Sequence, residues 1–324
     1  MVNENATAKT CLLIISKHFY SFEKHIREAL VAKGYEVAVA NDEYPEGTWG
    51  KIIGKLQIPI IFTTTYNVIT ADFLNGKKYN LCLIFKGRGI SEKLMQKLHE
   101  SADYVVGYNW DSFQLNRAPL KWYKTADKYY TFDYRDADKY NLPIVELFSS
   151  STSVTEKKEF EYTLSAIVRN HSGRLGYIDK VLSILPPAKT FIYVYELNIF
   201  TFVINFIKSP RLYFKYKKYI SFKPLKYVDY SNAMKSSEFT IDYAHYTQTG
   251  ITMRCFEAIN MKTKIITNNK YIKRSPYFND TNCIIFEGNE DATTLQAEYA
   301  ACKTKPYSAN VRTIGNFIDE LVKR

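Results

Sequence analysis

The run Phe239–Asn269, FTIDYAHYTQTGITMRCFEAINMKTKIITNN, holds the most concentrated chemistry in this chain. Its pattern predicts a strand ending in Asp242, a polar glycine-containing turn at Gln248-Thr249-Gly250, and a helix with Thr249 as N-cap. Free backbone N–H groups at such a helix start, together with the helix dipole, form an anion site suited to a diphosphate. Arg254 and Glu257 stand three apart and share one face of that helix. Arg254 can neutralise a phosphate, and Glu257 can accept two hydrogen bonds from ribose hydroxyls. The next strand ends in Thr267-Asn268-Asn269, a second polar lip. The same spacing equally describes an exposed Arg–Glu pair of little energetic weight, with Cys255, Phe256 and Ile259 on the buried face.

Three further groups lie near predicted strand ends. Asp111 follows the strand expected at Asp103–Tyr108, with Trp110 beside it. An apolar neighbour lifts a carboxylate toward the range of a general base; an Asp capping the next helix has the same sequence. His18, just past the first strand, is the rival base, or else a hydrogen-bonded structural histidine. Lys86-Gly87-Arg88-Gly89 can approach a phosphate closely, although it is neither a Walker loop nor part of a GxGxxG run, which disfavours NAD. Asp136-Ala137-Asp138 reads as DxD, but on a helix those carboxylates sit about 200° apart and share no ion easily. No metal is expected there.

From Lys208 to Lys226 there are seven basic residues and no acidic one, interleaved with Tyr213, Phe214, Tyr216, Tyr219 and Phe222. Such a segment can lie on an anionic membrane surface or bind single-stranded nucleic acid. It can also be a solvated basic face with its rings turned inward.

The elements that must position these groups alternate. Strands are expected at Cys11–Ser16, Tyr35–Ala40, Asn80–Phe85, Asp103–Tyr108, Lys128–Phe132 and Pro143–Leu147. Helices are expected at Phe22–Lys33, Ser91–Glu100, Arg117–Ala126 and Tyr134–Tyr140. After the serine run Ser149–Ser153, a linker candidate, strands follow at Thr163–Val168, Thr190–Tyr195, Glu238–Tyr243, Lys264–Thr267 and Cys283–Phe286. The helices between and after them are Arg174–Leu185, Ser231–Lys235, Ile251–Met261, Ala292–Cys302 and Val311–Val322. Alternation of this kind makes parallel sheets covered on both faces, with ligands beyond the carboxyl ends of the strands. At 324 residues the chain exceeds one ordinary core. The expectation is α/β, two Rossmann-like domains facing across a cleft, divided as residues 1–149 and 150–324. A composition of 46% hydrophobic and 24% charged residues excludes disorder as the main state, and a net charge of +11 favours an anionic partner. Five cysteines without CxxC spacing read as buried thiols in a reducing cytosol. The polar start MVNENATAKT and the interrupted apolar run Phe191–Ile207 predict a protein kept in the cytoplasm and not spanning a membrane.

The Phe239–Asn269 segment resembles the C-terminal signature of bacterial glycosyltransferases that build capsule and lipopolysaccharide, in which a strand ending in Asp precedes Gln-Thr-Gly, Arg-x-x-Glu and Ile-Thr-Asn. Tyr108-Asn109-Trp110-Asp111-Ser112 is similar to the Trp-Asp-Ser motif of that family. Thr131-Phe132-Asp133 with Asp136-Ala137-Asp138-Lys139-Tyr140 is similar to its Phe-Asp…Asp-Ala-x-Lys-Tyr stretch, and Lys86-Gly87 to its lysine-glycine. The resemblance runs from Asn80 to Asn282; Arg169–Ser172 and the aromatic insert Tyr193–Tyr219 depart from it.

It implies a GT-B architecture and transfer of a sugar from a nucleotide-sugar donor, held mainly by the C-terminal domain, to a capsule, O-antigen or lipopolysaccharide glycan. Donor contacts would come from Lys86, Asp242, Gln248, Gly250, Arg254, Glu257, Thr267 and Asn268, with Asp111 or His18 as base. The nucleotide sugar would act as co-substrate, with no cofactor, no metal and no nucleic acid partner. The acceptor would be a glycan or lipid-linked glycan, and residues 208–226 would touch an anionic membrane surface on its cytoplasmic side. The alternative is a non-catalytic basic module that binds nucleic acid or anionic glycan.

Overall fold

In the computed structural model residues 9–16, 22–149, 159–187 and 189–324 are described. They form two compact units. The first comprises the described residues up to Leu147 with Thr247–Gly250 and Thr313–Arg324, and the second comprises those of Phe148–Tyr246 and Ile251–Arg312. His18 and most of the serine run, Ser150–Ser153, lie outside the described residues.

In chain order the first unit contains β1 (Lys9–Ile14), α1 (Phe22–Ala32), β2 (Tyr35–Ala40), α2 (Thr48–Leu56), α3 (Ile60–Val68), β3 (Leu81–Phe85), α4 (Glu92–Ser101), β4 (Val105–Asn109), β5 (Lys128–Thr131) and α5 (Tyr134–Tyr140). Its strands pair in parallel in the order β2-β1-β3-β4-β5. Cys11–Ile14 and all of β3 are buried, which is why these strands read as unbroken apolar runs instead of alternating ones.

The second unit contains β6 (Tyr162–Arg169), α6 (Arg174–Ile184), β7 (Thr190–Tyr195), α7 (Ile199–Lys208), α8 (Pro210–Tyr216), β8 (Ile220–Ser221), α9 (Tyr227–Lys235), β9 (Ser237–Asp242), α10 (Met253–Asn260), β10 (Lys264–Thr267), β11 (Cys283–Ile285) and α11 (Ala292–Thr304). Its parallel sheet runs β11-β10-β9-β6-β7-β8. Two three-strand halves therefore wind outward from β6 and β9, the order of a dinucleotide-type Rossmann sheet. Each unit is an α/β fold of the Rossmann-like kind expected from the sequence.

The chain then returns to the first unit. α12 (Ile314–Val322) packs on α1 and β4 through buried Phe317, Ile318 and Leu321, with Phe317 5.1 Å from the Tyr108 ring. A single cut between residues 149 and 150 therefore does not describe the contacts, because α12 carries an apolar face that this sheet covers.

Four local expectations differ from the structure. Pro143–Leu147 forms only a bridge, Thr131 to Ile144, since Pro143 has no N–H to donate. The helix expected at Arg117–Ala126 is two short 3₁₀ turns around Pro119. α2 and α3 occupy a stretch in which no element is expected, because the β-branched run of α3, IIFTTTYNV, lacks a helical apolar stripe. The aromatic insert holds α7 and α8; α7 starts at a capping box between Asn198 and Thr201.

Candidate functional site

In the second sheet the winding reverses between β6 and β9, leaving a crevice at their carboxyl ends. β6 ends at Arg169. The turn Asn170-His171-Ser172-Gly173 follows, and Arg174 opens α6. Ser172 and Gly173 both have positive φ, 57° and 85°. Gly173 takes this conformation freely, whereas Ser172 holds it at a cost of roughly 1 kcal/mol, the kind of strain that collects at functional turns. α6 has no side-chain cap, so its N-terminal N–H groups face the crevice without a capping side chain.

Across the crevice, Asp242 ends β9. It is buried and fully engaged: Thr252 Oγ1 donates to Oδ1 at 2.8 Å, Thr267 Oγ1 to Oδ2 at 3.3 Å, and Arg254 Nη1 to Oδ1 at 3.4 Å. Asp242 thus holds the Arg254 guanidinium in place. The Nε atoms of Arg254 and Arg174 are both buried and have no hydrogen-bond partner. The Arg174 guanidinium is drawn down to about 10 by burial and by the charge of Arg254, so two cations sit close enough to repel. His171 is lowered to about 4 by burial, then by Arg174, Arg169 and His245; the two imidazole rings lie 6.3 Å apart. His245 is lowered for the same reasons, burial first and then Arg174. Five groups that carry or can accept positive charge, two of them with unused donors, thus meet at one strand switch. That environment is complementary to a polyanion.

Burial and, after it, repulsion from Arg174, Arg169 and His245 keep His171 neutral, and a bound anion offsets the repulsive part. His171 is therefore expected to titrate at least about one unit higher with a nucleoside diphosphate bound than without it. Because the bound form holds the proton more tightly, affinity should rise as pH falls through the bound-state value and level off below about 4. Imidazole NMR titration with and without nucleotide checks this; an unmoved His171 resonance would place the anion elsewhere.

The residues singled out in the sequence are distributed as follows. The Gly250 backbone does not form an open anion cradle. Asp133 Oδ2 accepts from Thr249 N at 2.6 Å and Gly250 N at 3.3 Å, and Oδ1 accepts from Thr249 Oγ1 at 2.8 Å. A protein carboxylate holds the place expected for a phosphate. Thr249 is accordingly not the N-cap; α10 begins at Met253 after Thr252. Gln248 belongs to the same first-unit segment. Thr267 is buried, with its hydroxyl on Asp242 and on the Asn269 N–H, so it is no exposed lip. The Asn268 amide clamps Ala244, accepting from its N–H at 2.7 Å and donating to its carbonyl at 3.1 Å. Glu257 is buried and accepts from Tyr230 Oη at 2.6 Å. In the first unit Lys86 Nζ lies 2.7 Å from Asp111 Oδ2, joining the carboxylate and the cation that the sequence offers separately. Lys86 has φ 60° and its ammonium stands 5.7 Å from the Trp110 ring. Asp136 is buried and accepts from Phe113 N at 2.6 Å, while Asp138 is exposed, so the DxD carboxylates diverge.

No protein-family model matches the chain, and no curated protein matches it in sequence. Solved structures do match in fold. The lipopolysaccharide outer core galactosyltransferase WaaB superposes with a TM-score of 0.58 at 7% identity, covering 97% of this chain and 96% of that one. A glycosyltransferase from Rickettsia africae gives 0.57 at 13%, covering 97% and 92%. UDP-GlcNAc 2-epimerase from Methanocaldococcus jannaschii, solved in complex with UDP-GlcNAc and UDP, gives 0.56 at 13%, covering 97% and 99%. The fold is of the GT-B type.

Sequence reasoning missed Arg174, His171 and His245. A signal was present: a strand followed by a polar turn, a glycine and a helix that opens on arginine. Beside them is a recess of about 400 Å³ lined by Arg169, Asn170, His171 and Ser172 and by Leu197, Thr201, Ile204 and Asn205.

Proposed function

We propose that this protein transfers a glycosyl group from a nucleotide-sugar donor, with the donor diphosphate held where β6 and β9 part. The observation that carries the reading is the pair of guanidiniums, Arg174 and Arg254, whose unpartnered Nε groups lie beside an α6 N-terminus without a side-chain cap. Glu257, oriented by Tyr230, would take a ribose hydroxyl. The UDP-bound epimerase and the WaaB transferase supply the fold-level analogy. A surface glycan of the capsule, O-antigen or lipopolysaccharide kind is the acceptor in this reading.

In an inverting transfer the acceptor oxygen attacks the anomeric carbon while the bond to the diphosphate breaks. The acceptor proton passes to a base, and the charge developing on the leaving diphosphate is met by Arg174 and Arg254. Asp111, paired with Lys86, is the base that this reading assigns. No metal and no cofactor enter the scheme.

The test is a panel of UDP, GDP, CMP and dTDP and their sugars, read first by Tm. A ligand that binds only the native state at a hundred times its Kd stabilises it by about 2.7 kcal/mol. One nucleotide series should shift Tm, and its sugar should be transferred to a glycan acceptor. Sugar epimerised at C2 with no transfer would make the chain an epimerase. No Tm shift with any series, together with no turnover, would overturn the reading.

A further inference from the structure

The structure assigns a bilayer-docking surface to α7, distinct from the basic aromatic segment that follows it. At about 100° per residue, Ile199, Phe200, Val203, Ile204 and Ile207 fall within about 140° of arc. All five are exposed, Phe200 at 76% and Ile207 at 71%. The opposite side is what holds the helix down. Phe202 and Phe206 pack against the second core, with Phe202 5.2 Å from the buried Tyr213 ring, and Thr201 and Asn205 donate to buried Glu196. The helix therefore has two apolar faces, and the unit covers one. Phe214 extends the exposed surface from α8, 5.5 Å from the Phe206 ring, and is itself 65% exposed.

The charge around this stripe selects the occupant. Residues 197–226 contain no acidic side chain, and Lys208, Arg211, Lys215, Lys217, Lys218, Lys223 and Lys226 are all exposed. An apolar helical stripe bordered by cations matches the boundary between acyl chains and anionic headgroups. A second copy of this chain fits poorly, because a two-fold contact would bring like-charged rims together. Single-stranded nucleic acid would use stacking rings, and here the stripe is mostly Ile and Val while Tyr213 and Tyr216 are buried. Nor is α7 a membrane span: among the described residues no helix is long and apolar enough to cross a bilayer. Ile204 and Thr201 also line the recess beside Arg169 and His171, so docking through α7 would set that recess at the headgroup level.

The experiment sediments the full chain with phosphatidylcholine vesicles, neutral or containing about one-third phosphatidylglycerol. It needs no donor sugar, so its outcome is separate from that of the transferase reading. Wild type should bind the anionic vesicles at least about tenfold more tightly, and added salt should weaken binding. Phe200→Ser with Ile207→Ser should reduce partitioning about a hundredfold with Tm unchanged, since both side chains are solvent-facing. Lys217→Glu with Lys218→Glu, a second variant at an exposed turn, should remove the preference for anionic lipid. Vesicle binding that survives the Phe200/Ile207 change would overturn the assignment, as would absence of binding at low salt. So would a wild-type dimer that this change converts to monomer, or oligonucleotide binding that it abolishes.

Discussion

Arg174→Ala is expected to lower the affinity for nucleoside diphosphate by about 10- to 100-fold and at the same time to raise the Tm of the unliganded protein. The two effects share one cause. In the free protein Arg174 is a partly buried cation drawn down to about 10 by burial and by the charge of Arg254, with its Nε unpaired. Removing it relieves repulsion and an unsatisfied donor and gives up one long hydrogen bond, Arg174 Nη1 to the Arg169 carbonyl at 3.3 Å, a net gain of at most about 1 kcal/mol. In the complex the same guanidinium supplies charge-assisted bonds worth roughly 1.5–3 kcal/mol, hence the loss of affinity. Arg254→Ala should weaken binding similarly but should lower stability, because Asp242 would lose its cation in a buried site and keep neutral donors such as the hydroxyls of Thr252 and Thr267. Opposite stability effects from two arginines of one site are hard to obtain from surface charges. Arg174→Lys, which keeps the charge and loses the planar donors, should fall between. Calorimetric titration and melting of the three variants check this. An Arg174→Ala protein that binds nucleotide normally, or that melts lower than wild type, would remove the switch point from consideration.

The parts of this molecule that are legible in its sequence are those governed by near neighbours. β2, β7 and β10 coincide with YEVAVA, TFIYVY and KIIT, and α5 with YRDADKY, because short apolar runs and an Asp cap declare themselves locally. α7 was obscured by its own composition. IFTFVINFIK is apolar over most of its circumference, with a narrow polar arc at Thr201, Asn205 and Lys208, and its start is marked by the Asn198–Thr201 capping box. The site is half legible for a topological reason. Arg254 and Asp242 lie within one motif, whereas His171 and Arg174 arrive from about seventy residues earlier through the pairing of β6 with β9, which strand order alone decides. The turn at Gln248-Thr249-Gly250 shows the converse. Its residue types do suit an anion, and it does bind one, but the anion is Asp133.

That carboxylate underlies the largest stability effect to be expected. Asp133 is buried at the start of α5, where it caps the helix by accepting from Arg135 N and Asp136 N, each at 3.1 Å, while also accepting from the backbone of Thr249 and Gly250 and from the Thr249 hydroxyl. Losing an N-cap alone costs about 1 kcal/mol, and each buried N–H left unpaired adds roughly 1–3 kcal/mol. The sum is not additive, but Asp133→Ala should cost about 4 kcal/mol or more, a large share of the 5–15 kcal/mol typical of a folded domain. Asp133→Asn, which keeps the shape and turns an NH₂ toward backbone donors, should cost roughly half as much and remain measurable by urea denaturation if the alanine variant does not fold. Gly250→Ala attacks the same junction by volume: its Cβ would stand 2.3 Å from the Phe132 ring, so the ring or the turn must move, at about 1–3 kcal/mol. If Asp133→Ala instead left the urea midpoint unchanged, the Thr249 and Gly250 N–H groups would not depend on that carboxylate, and this turn would again compete with the β6–β9 crevice as the seat of the donor phosphates.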